Sequence, residues 1–521
     1  MIINRMKIIN FKKFNGEKNI KFNDDFNIII GDNESGKSSI LLALDLTLSG
    51  SQNKIESIGL ENLFNCDAIN QFMNGDRAFD KLPELVVELY LEETGIPEFN
   101  GTNNKEKIKA DGIYLKIAPD EEFSKIIIES LIKENAVFPF EYYKCIFKKF
   151  SDDSYNNYKR PLHHIIIDGS NISNEYYMKE YISSLYSAYA DETLKNLYNN
   201  EFRKLKKSFE DNELMSLNEK VPSVNFGLST HNKYSLENNL TIYDQGINIQ
   251  NKGSGSQCML KIKSSINKQS ENIDLILIEE PENHLSDTNM KKMLNDIMTA
   301  NKKQMFITTH NSMICSRLNL KKIIALSEDK ISTSEFNSIS DETADFFIKC
   351  PSNTILNFIL SNKVILVEGA AEYILLEKFY EIINKNNPST DKVNIISVNG
   401  LSFERYLEVA KELNIKVAVI TDNDKDYANN ITNKYSKYED NENIKIYSDV
   451  DNNRYTFEVC LFDDNKKYIE SNKITKSTDI LKYMLNNKSE SAYKLLQLLE
   501  KNTEDFNVPK YIEEAIKWIK D

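Results

Sequence analysis

The chain has 521 residues, 40% hydrophobic and 28% charged, with a formal net charge of −14 at pH 7. That length exceeds a single hydrophobic core and predicts two to four domains of a soluble, globular kind. The acidic balance excludes a protein coated with basic surface, though a local basic groove could still hold nucleic acid.

In chain order, Met6 to Phe11 and Ile20 to Phe22 read as short strands, and Asn27 to Ile30 as a buried one. The buried strand breaks at Gly31 into Gly-x-x-x-x-Gly-Lys-Ser, Gly31 to Ser38, ahead of an apolar segment, Ile40 to Leu48. A strand, a glycine loop and a helix in this order place successive backbone N–H groups around a phosphate. Gly31 and Gly36 allow loop angles and a close approach that a Cβ would block. Lys37 is placed to reach the β- and γ-phosphates and Ser38 to ligate Mg²⁺, with Asn33 and Ser39 counted among the loop's nucleotide contacts.

Leu85 to Leu91, Ile113 to Ile117 and Tyr142 to Phe150 alternate like strands of an antiparallel sheet. His163 and His164 could bind a metal, but no further ligand lies at the right spacing, so a structural role is the expectation. From Ser170 to Val221 there is no Gly and no Pro, and Tyr, Leu, Lys and Glu recur at helical spacing. This predicts long helices inserted into the ATPase, serving dimer contact or an arm. Arg203, Lys204, Lys206 and Lys207 within it could touch DNA, but a solvated helix face is the commoner explanation.

After Pro222 the ATPase resumes. Lys252 to Gln257, KGSGSQ, precedes a helical stretch, Cys258 to Ile266. An apolar strand, Ile273 to Ile278, then leads into Glu279-Glu280-Pro281-Glu282-Asn283-His284-Leu285, and Met305 to Thr309 into His310. Beyond a break at Cys350-Pro351-Ser352, Asn362 to Ile374 reads as strand, Glu368-Gly369, then a helix carrying Glu372. Val393 to Val398 and Ser402 to Leu413 continue the alternation, and the strand Lys416 to Ile420 ends in Thr421-Asp422-Asn423-Asp424. The pattern predicts a compact parallel α/β domain whose acids gather at one sheet edge. The competing account of Asp422, Asp424 and Asp426 is an acidic surface loop. Converging carboxylates either bind a cation or shift their pKa values upward, and oxygen-only ligands suit Mg²⁺ or Mn²⁺.

With the P-loop in front of them, the later motifs resemble the ABC-type ATPase heads of the SMC group. Ser254-Gly255-Ser256-Gln257 looks like the signature motif, Glu279-Glu280 like the Walker B pair and His310 like the switch histidine. The resemblance implies Mg²⁺ held through Glu279, an attacking water oriented by Glu280 and a γ-phosphate sensed by His310. It also implies that Ser254 and Gln257 contact ATP bound by a second subunit, so the active unit would be a homodimer or higher homo-oligomer. Glu279 stands where most ABC proteins carry Asp, and no Q-loop glutamine is evident, which implies slow or conditional hydrolysis.

Glu368-Gly369 after one strand and Asp422-x-Asp424 after another resemble the Toprim fold of topoisomerases, primases and related nucleases. Thr456-Phe457-Glu458 resembles that fold's Thr-x-Glu element, and Lys488-Ser489-Glu490-Ser491-Ala492 its lysine motif. An ABC-type ATPase joined to a C-terminal Toprim domain is similar to the OLD family nucleases, which include the A subunit of the Gabija phage-defence system. The resemblance covers nearly the whole chain apart from the helical insertion. It implies an α/β protein with ATPase parts at 1–169 and 222–350, a helical insertion at 170–221 and a Toprim domain at 351–521. It further implies an ATP-binding, metal-dependent DNA endonuclease of anti-phage defence. Glu368, Asp422, Asp424 and Lys488 would be catalytic, and Glu368, Glu372, Asp422, Asp424, Glu458 and Ser38 would ligate metal. DNA is the implied substrate, and a helicase or other defence-system protein is left open as a partner. Two rivals stand beside this reading: an SMC-like structural ATPase whose Toprim domain only binds nucleic acid, and a topoisomerase-like enzyme. No apolar run approaches a membrane span, Met1 to Asn10 lacks the apolar core of a signal peptide, and the six cysteines include no Cys-x-x-Cys pair. A cytoplasmic protein with reduced thiols and no membrane contact is the expectation.

Overall fold

The computed structural model describes residues 1–133, 135–157, 159–172, 174–221, 223–229, 236–266, 273–299, 303–327, 331–332, 335–350, 354–400, 402–472, 474–475 and 478–521. Pro222, Pro351 and Ser352, where boundaries were expected, lie outside the described residues. The chain divides into two units, Met1–His310 and Asn311–Ser327 with Ser332–Asp521.

Besides a two-stranded ribbon of Tyr243–Asp244 and Ile247–Asn248, the first unit holds two larger sheets of opposite character. β1 (Ile3–Phe11), β2 (Phe14–Lys21), β4 (Leu85–Leu91), β5 (Ala110–Pro119) and β6 (Tyr143–Lys149) pair antiparallel in the order β2-β1-β4-β5-β6. β2 buries only its apolar positions Phe14 and Ile20, as a strand with one wet face must. β3 (Phe26–Gly31), β7 (His164–Asp168), β8 (Leu275–Glu279) and β9 (Gln304–Thr308) are parallel in the order β3-β9-β8-β7. Their continuous apolar runs are buried, which suits strands covered on both faces. All four therefore end at the same sheet edge.

α1 (Lys37–Ser49) leaves β3 through the glycine loop and buries Ile40, Leu41, Leu44 and Leu48. The segment expected to be helical holds α2 (Glu175–Tyr189) and α3 (Glu192–Asn212), capped by the side chains of Asn174 and Asp191. α3 buries no residue, in keeping with a solvated face for its basic run, yet it exposes Leu197, Leu205 and Phe209. α4 (Ser254–Ile266) starts at Ser254 rather than Cys258, so Ser254-Gly255-Ser256-Gln257 is its first turn. His164 has the structural role expected of it. Its Nε2 lies 2.8 Å from Asp45 Oδ1, and Lys54 bridges Asp45 at 2.7 Å and Glu180 at 2.5 Å. Burial pushes the Asp45 carboxyl up, but Lys54 and His164 together hold it well below the usual range.

The second unit is a four-stranded parallel sheet. β10 (Lys363–Val367), β11 (Val393–Ser397), β12 (Lys416–Ile420) and β13 (Ile444–Tyr447) run in the order β11-β10-β12-β13. α5 (Ala370–Asn384), α6 (Phe403–Leu413), α7 (Phe457–Asp464), α8 (Lys488–Leu499) and α9 (Lys510–Lys520) surround it. Leu375, Phe379, Phe457, Ile512 and Ile516 share one buried cluster, so α5, α7 and α9 are fixed by the same core. Each such side chain contributes about 1.5–3 kcal/mol by burial, enough to hold the helix ends that carry the acids. Among the described residues no helix is long and apolar enough to cross a membrane.

Candidate nucleotide cleft and acidic site

The glycine loop closes a cleft of about 190 Å³ lined by Asn33, Gly36, Lys37, Ser38, Ser39, Glu280 and His310, with Lys13 and Glu34. Gly36 sits at φ 103°, a left-handed angle that a side chain would strain, and caps α1. Gly31 is not among the positive-φ residues, whereas Glu34 is, at φ 64°. Lys37 is buried, and its Nζ donates to the carbonyls of Gly31 at 3.0 Å and Asp32 at 2.8 Å. Burial lowers the Lys37 pKa, while Glu280 and Asp32 act against that shift.

The ends of β8 and β9 supply the opposing acids. Burial raises the pKa of Glu279 although Ser38 hydrogen-bonds it, which joins the loop serine to the strand-end carboxylate. Glu280 adopts φ 41°, and its Oε1 lies 3.2 Å from His310 Nε2. Glu282, which sequence reasoning passed over, accepts from Thr309 Oγ1 at 2.7 Å and His310 N at 2.6 Å. Asp168 was also missed. It pairs in register with Glu279, and its carboxylate accepts from Ser170 N, Asn171 N and Asn171 Nδ2. Only the strand pairing brings Asp168 to this edge, so no local motif signals it. Ser254 and Gln257 do not line the cleft of their own chain. Gln257 is buried and its Nε2 donates to Lys252 O at 2.8 Å.

In the second unit the parallel strands bring Glu368, Glu372, Asp422, Glu458 and Lys488 into one electrostatic set. Glu368 follows β10, and its Oε1 accepts from Thr421 Oγ1 and, at 3.2 Å, from Asp422 N. Asp422 follows β12, and its Oδ1 accepts from Phe457 N at 2.8 Å, in the first turn of α7. Glu458 is 2% exposed because Phe457, Val459 and Cys460 around it pack into the core. Its Oε2 pairs with Lys488 Nζ at 3.0 Å, while Oε1 has no hydrogen-bond partner among the described residues. Burial and then Glu368 and Glu372 push the Asp422 carboxyl up to about 8, with Lys488 acting in the opposite sense. The buried carboxyl of Glu372 is raised too, by burial, Glu458 and Glu368. Asp424 stands apart from these groups: it is exposed, at φ 47°, with its N–H donating to Tyr455 O at 3.2 Å.

Divalent cations fit the chemistry of this set. The donors are all oxygens, their negative charges raise one another's pKa, and one buried carboxylate oxygen is left without a partner. Even so, no three acidic, His or Cys side chains among the described residues stand close enough to hold an ion. Thr421 and Phe457, which fix Glu368 and Asp422, gave little signal. Thr421 is visible beside the acid it serves, whereas Phe457 acts through its backbone N–H.

A family model described as an AAA ATPase domain matches residues 1–315. Another, described as the Toprim domain of overcoming lysogenization defect protein-like proteins, matches residues 359–424. The Old nuclease of Escherichia phage P2 is 25% identical over 179 residues, covering 32% of this chain and 30% of that protein. Among solved structures, the SMC head bound to the C-winged helix domain of ScpA is 16% identical, with a TM-score of 0.36, covering 64% of this chain and 98% of that one. The SMC head domain from Thermotoga maritima is 14% identical, with a TM-score of 0.29, covering 63% of this chain and 95% of that one.

Proposed function

We propose, for a chain that belongs to the AAA ATPase domain family and carries an OLD-like Toprim domain, that it is an ATP-regulated, metal-dependent DNA endonuclease of anti-phage defence. The observation that carries this reading is the set of Glu368, Glu372, Asp422 and Glu458 beside Lys488 at one edge of a parallel sheet. Glu368, Asp422, Glu372 and Glu458 would hold Mg²⁺ or Mn²⁺, which supplies water activation and charge neutralisation for phosphodiester hydrolysis. Thr421 orients Glu368 and the Phe457 N–H orients Asp422. Lys488 adds positive charge where the phosphate gains negative charge. Asp424, being exposed, is the weakest member of the catalytic and metal sets drawn from the sequence.

The other half of the proposal is a nucleotide site that controls cutting without performing it. Lys37, Ser38, Glu279, Glu280 and His310 would bind ATP and Mg²⁺ and hydrolyse the γ-phosphate. Ser254 and Gln257 lie off the cleft of their own chain, which favours their serving a second copy and hence a homodimer. The divisions at 169, 221 and 350, the dimer role of the 170–221 helices and any defence-system protein partner belong to this reading as well. A second reading, an ATPase whose Toprim domain binds nucleic acid without cutting, is favoured by one observation. Among the described residues no three acidic, His or Cys side chains are placed to hold an ion. Plasmid nicking in Mg²⁺ or Mn²⁺ decides between them: the nuclease reading expects nicks from the wild type, and a persistently intact plasmid favours the second.

A further inference from the structure

A cavity of about 270 Å³ lies in the second unit beside β13, the outer strand of its sheet, and Tyr427, Tyr435, Tyr438, Tyr447, Glu439 and Lys445 line it. Tyr435 is 4% exposed, and its hydroxyl has no hydrogen-bond partner among the described residues. A buried hydroxyl left unpaired is unfavourable, so it marks a place that a ligand's polar atom would satisfy. The cavity adjoins the acidic edge through shared hydrogen bonds. The Tyr447 carbonyl accepts from Thr421 N at 3.1 Å, and the Thr421 hydroxyl donates to Glu368. Asn430, in the turn that walls the cavity, donates through Nδ2 to Asn423 O at 3.0 Å.

We propose that this cavity takes one unpaired nucleobase of a DNA strand whose backbone passes the acidic edge. The inference rests on the nuclease reading for where that backbone runs. Lys434 and Lys437 already lie 5.2 and 5.0 Å from the ring centres of Tyr435 and Tyr438. Tyr447 packs against the core with its ring centre 6.3 Å from that of Trp518, so the half-buried Tyr427 supplies the stacking surface, which any base can use through its π-face. Glu439, exposed and acceptor-only, suits the exocyclic amino group of adenine or cytosine, and the Tyr435 hydroxyl can donate to a ring nitrogen. Lys445, exposed at the rim with its Nζ 5.2 Å from the Trp518 ring centre, would add positive charge near a flanking phosphate. A peptide strand is the poorer occupant. β13 has only four residues, which leaves a short edge for a strand to join.

The test uses single-stranded oligonucleotides carrying 2-aminopurine at successive positions, bound to the full chain in Ca²⁺. Stacking predicts fluorescence quenching at one position, with binding about tenfold weaker in Tyr427→Ala and blunt-duplex affinity unchanged. Tyr435→Phe keeps the ring and should lower only the preference for adenine over thymine there, a few-fold. Quenching at every position or at none, or unchanged affinity and base preference in both variants, overturns the proposal. If Tyr427→Ala abolishes the quenching while the wild type never nicks plasmid in Mg²⁺ or Mn²⁺, the base site stands and the nuclease reading falls. Nicking without position-specific quenching removes the base site and leaves the nuclease reading standing.

Discussion

Lys37 concentrates the nucleotide claim in one ammonium group. It is buried at the mouth of α1, and its present partners are the loop's own carbonyls at 3.0 and 2.8 Å. Charge-assisted contacts of this kind are worth about 1.5–3 kcal/mol, so Lys37→Ala should weaken ATP binding by roughly one to two orders of magnitude. Calorimetry giving an unchanged affinity would remove the P-loop assignment. Asp422 makes a claim about pH. Its carboxyl is pushed up to about 8 from an ordinary 3.8, first by burial and then by Glu368. Between those values the folded protein keeps a proton that the unfolded chain has released, so this residue makes stability fall as pH rises from about 4 to about 8. In chelator, Asp422→Asn should flatten that fall in melting temperature between pH 5 and pH 8. Parallel curves for the two proteins would contradict it. Asp422 and Asp424 look equivalent in the sequence, yet only one joins the acids. The reason is tertiary: the intervening Asn423 is buried, and its Nδ2 donates to the carbonyls of Asp449 and Asp451, which turns Asp424 outward. Nothing local announces those partners.

Strands and helices were legible where one pattern decides them. The apolar run of β3 stops at Gly31 and those of β8, β9, β10 and β12 at polar residues, and the parallel pairing gathers those stops at the sheet edges. The stretch from Gly50 to Lys81, polar and silent in sequence, holds helices Gln52–Ile58 and Cys66–Asn74, capped by Ser51 and Asn65. Gln52–Ile58 buries only Ile55, too little to impose a period, whereas Cys66–Asn74 buries Ala68 and Phe72, four residues apart on one face. The turn after β7 gives an element-scale test. A Cβ on Gly169 would lie 2.2 Å from the backbone O of Glu280, so Gly169→Ala must displace the strand-end acids. Overpacking of this kind costs about 1–3 kcal/mol, a fall of several degrees in melting temperature at most. ATP hydrolysis should drop far more than ATP binding, in the same direction as in Glu280→Gln. Hydrolysis at the wild-type rate in Gly169→Ala would show that Glu280 is not held by this contact.

At the scale of the whole molecule the two sites are expected to be separable in chemistry and coupled in regulation. Lys37→Ala should change when the nuclease acts while leaving metal-dependent cutting possible. Light scattering should find at least a dimer, and only monomer with and without ATP would remove the shared nucleotide site. The central claim, that the acidic edge of the second unit cuts DNA, is tested most directly by plasmid nicking in Mg²⁺ or Mn²⁺ with wild type and Glu368→Ala side by side. ATP binding, measured on the same preparations, serves as the control for folding. The account predicts nicking by the wild type, none by Glu368→Ala and equal ATP affinity in both. Undiminished metal-dependent nicking by Glu368→Ala would contradict it.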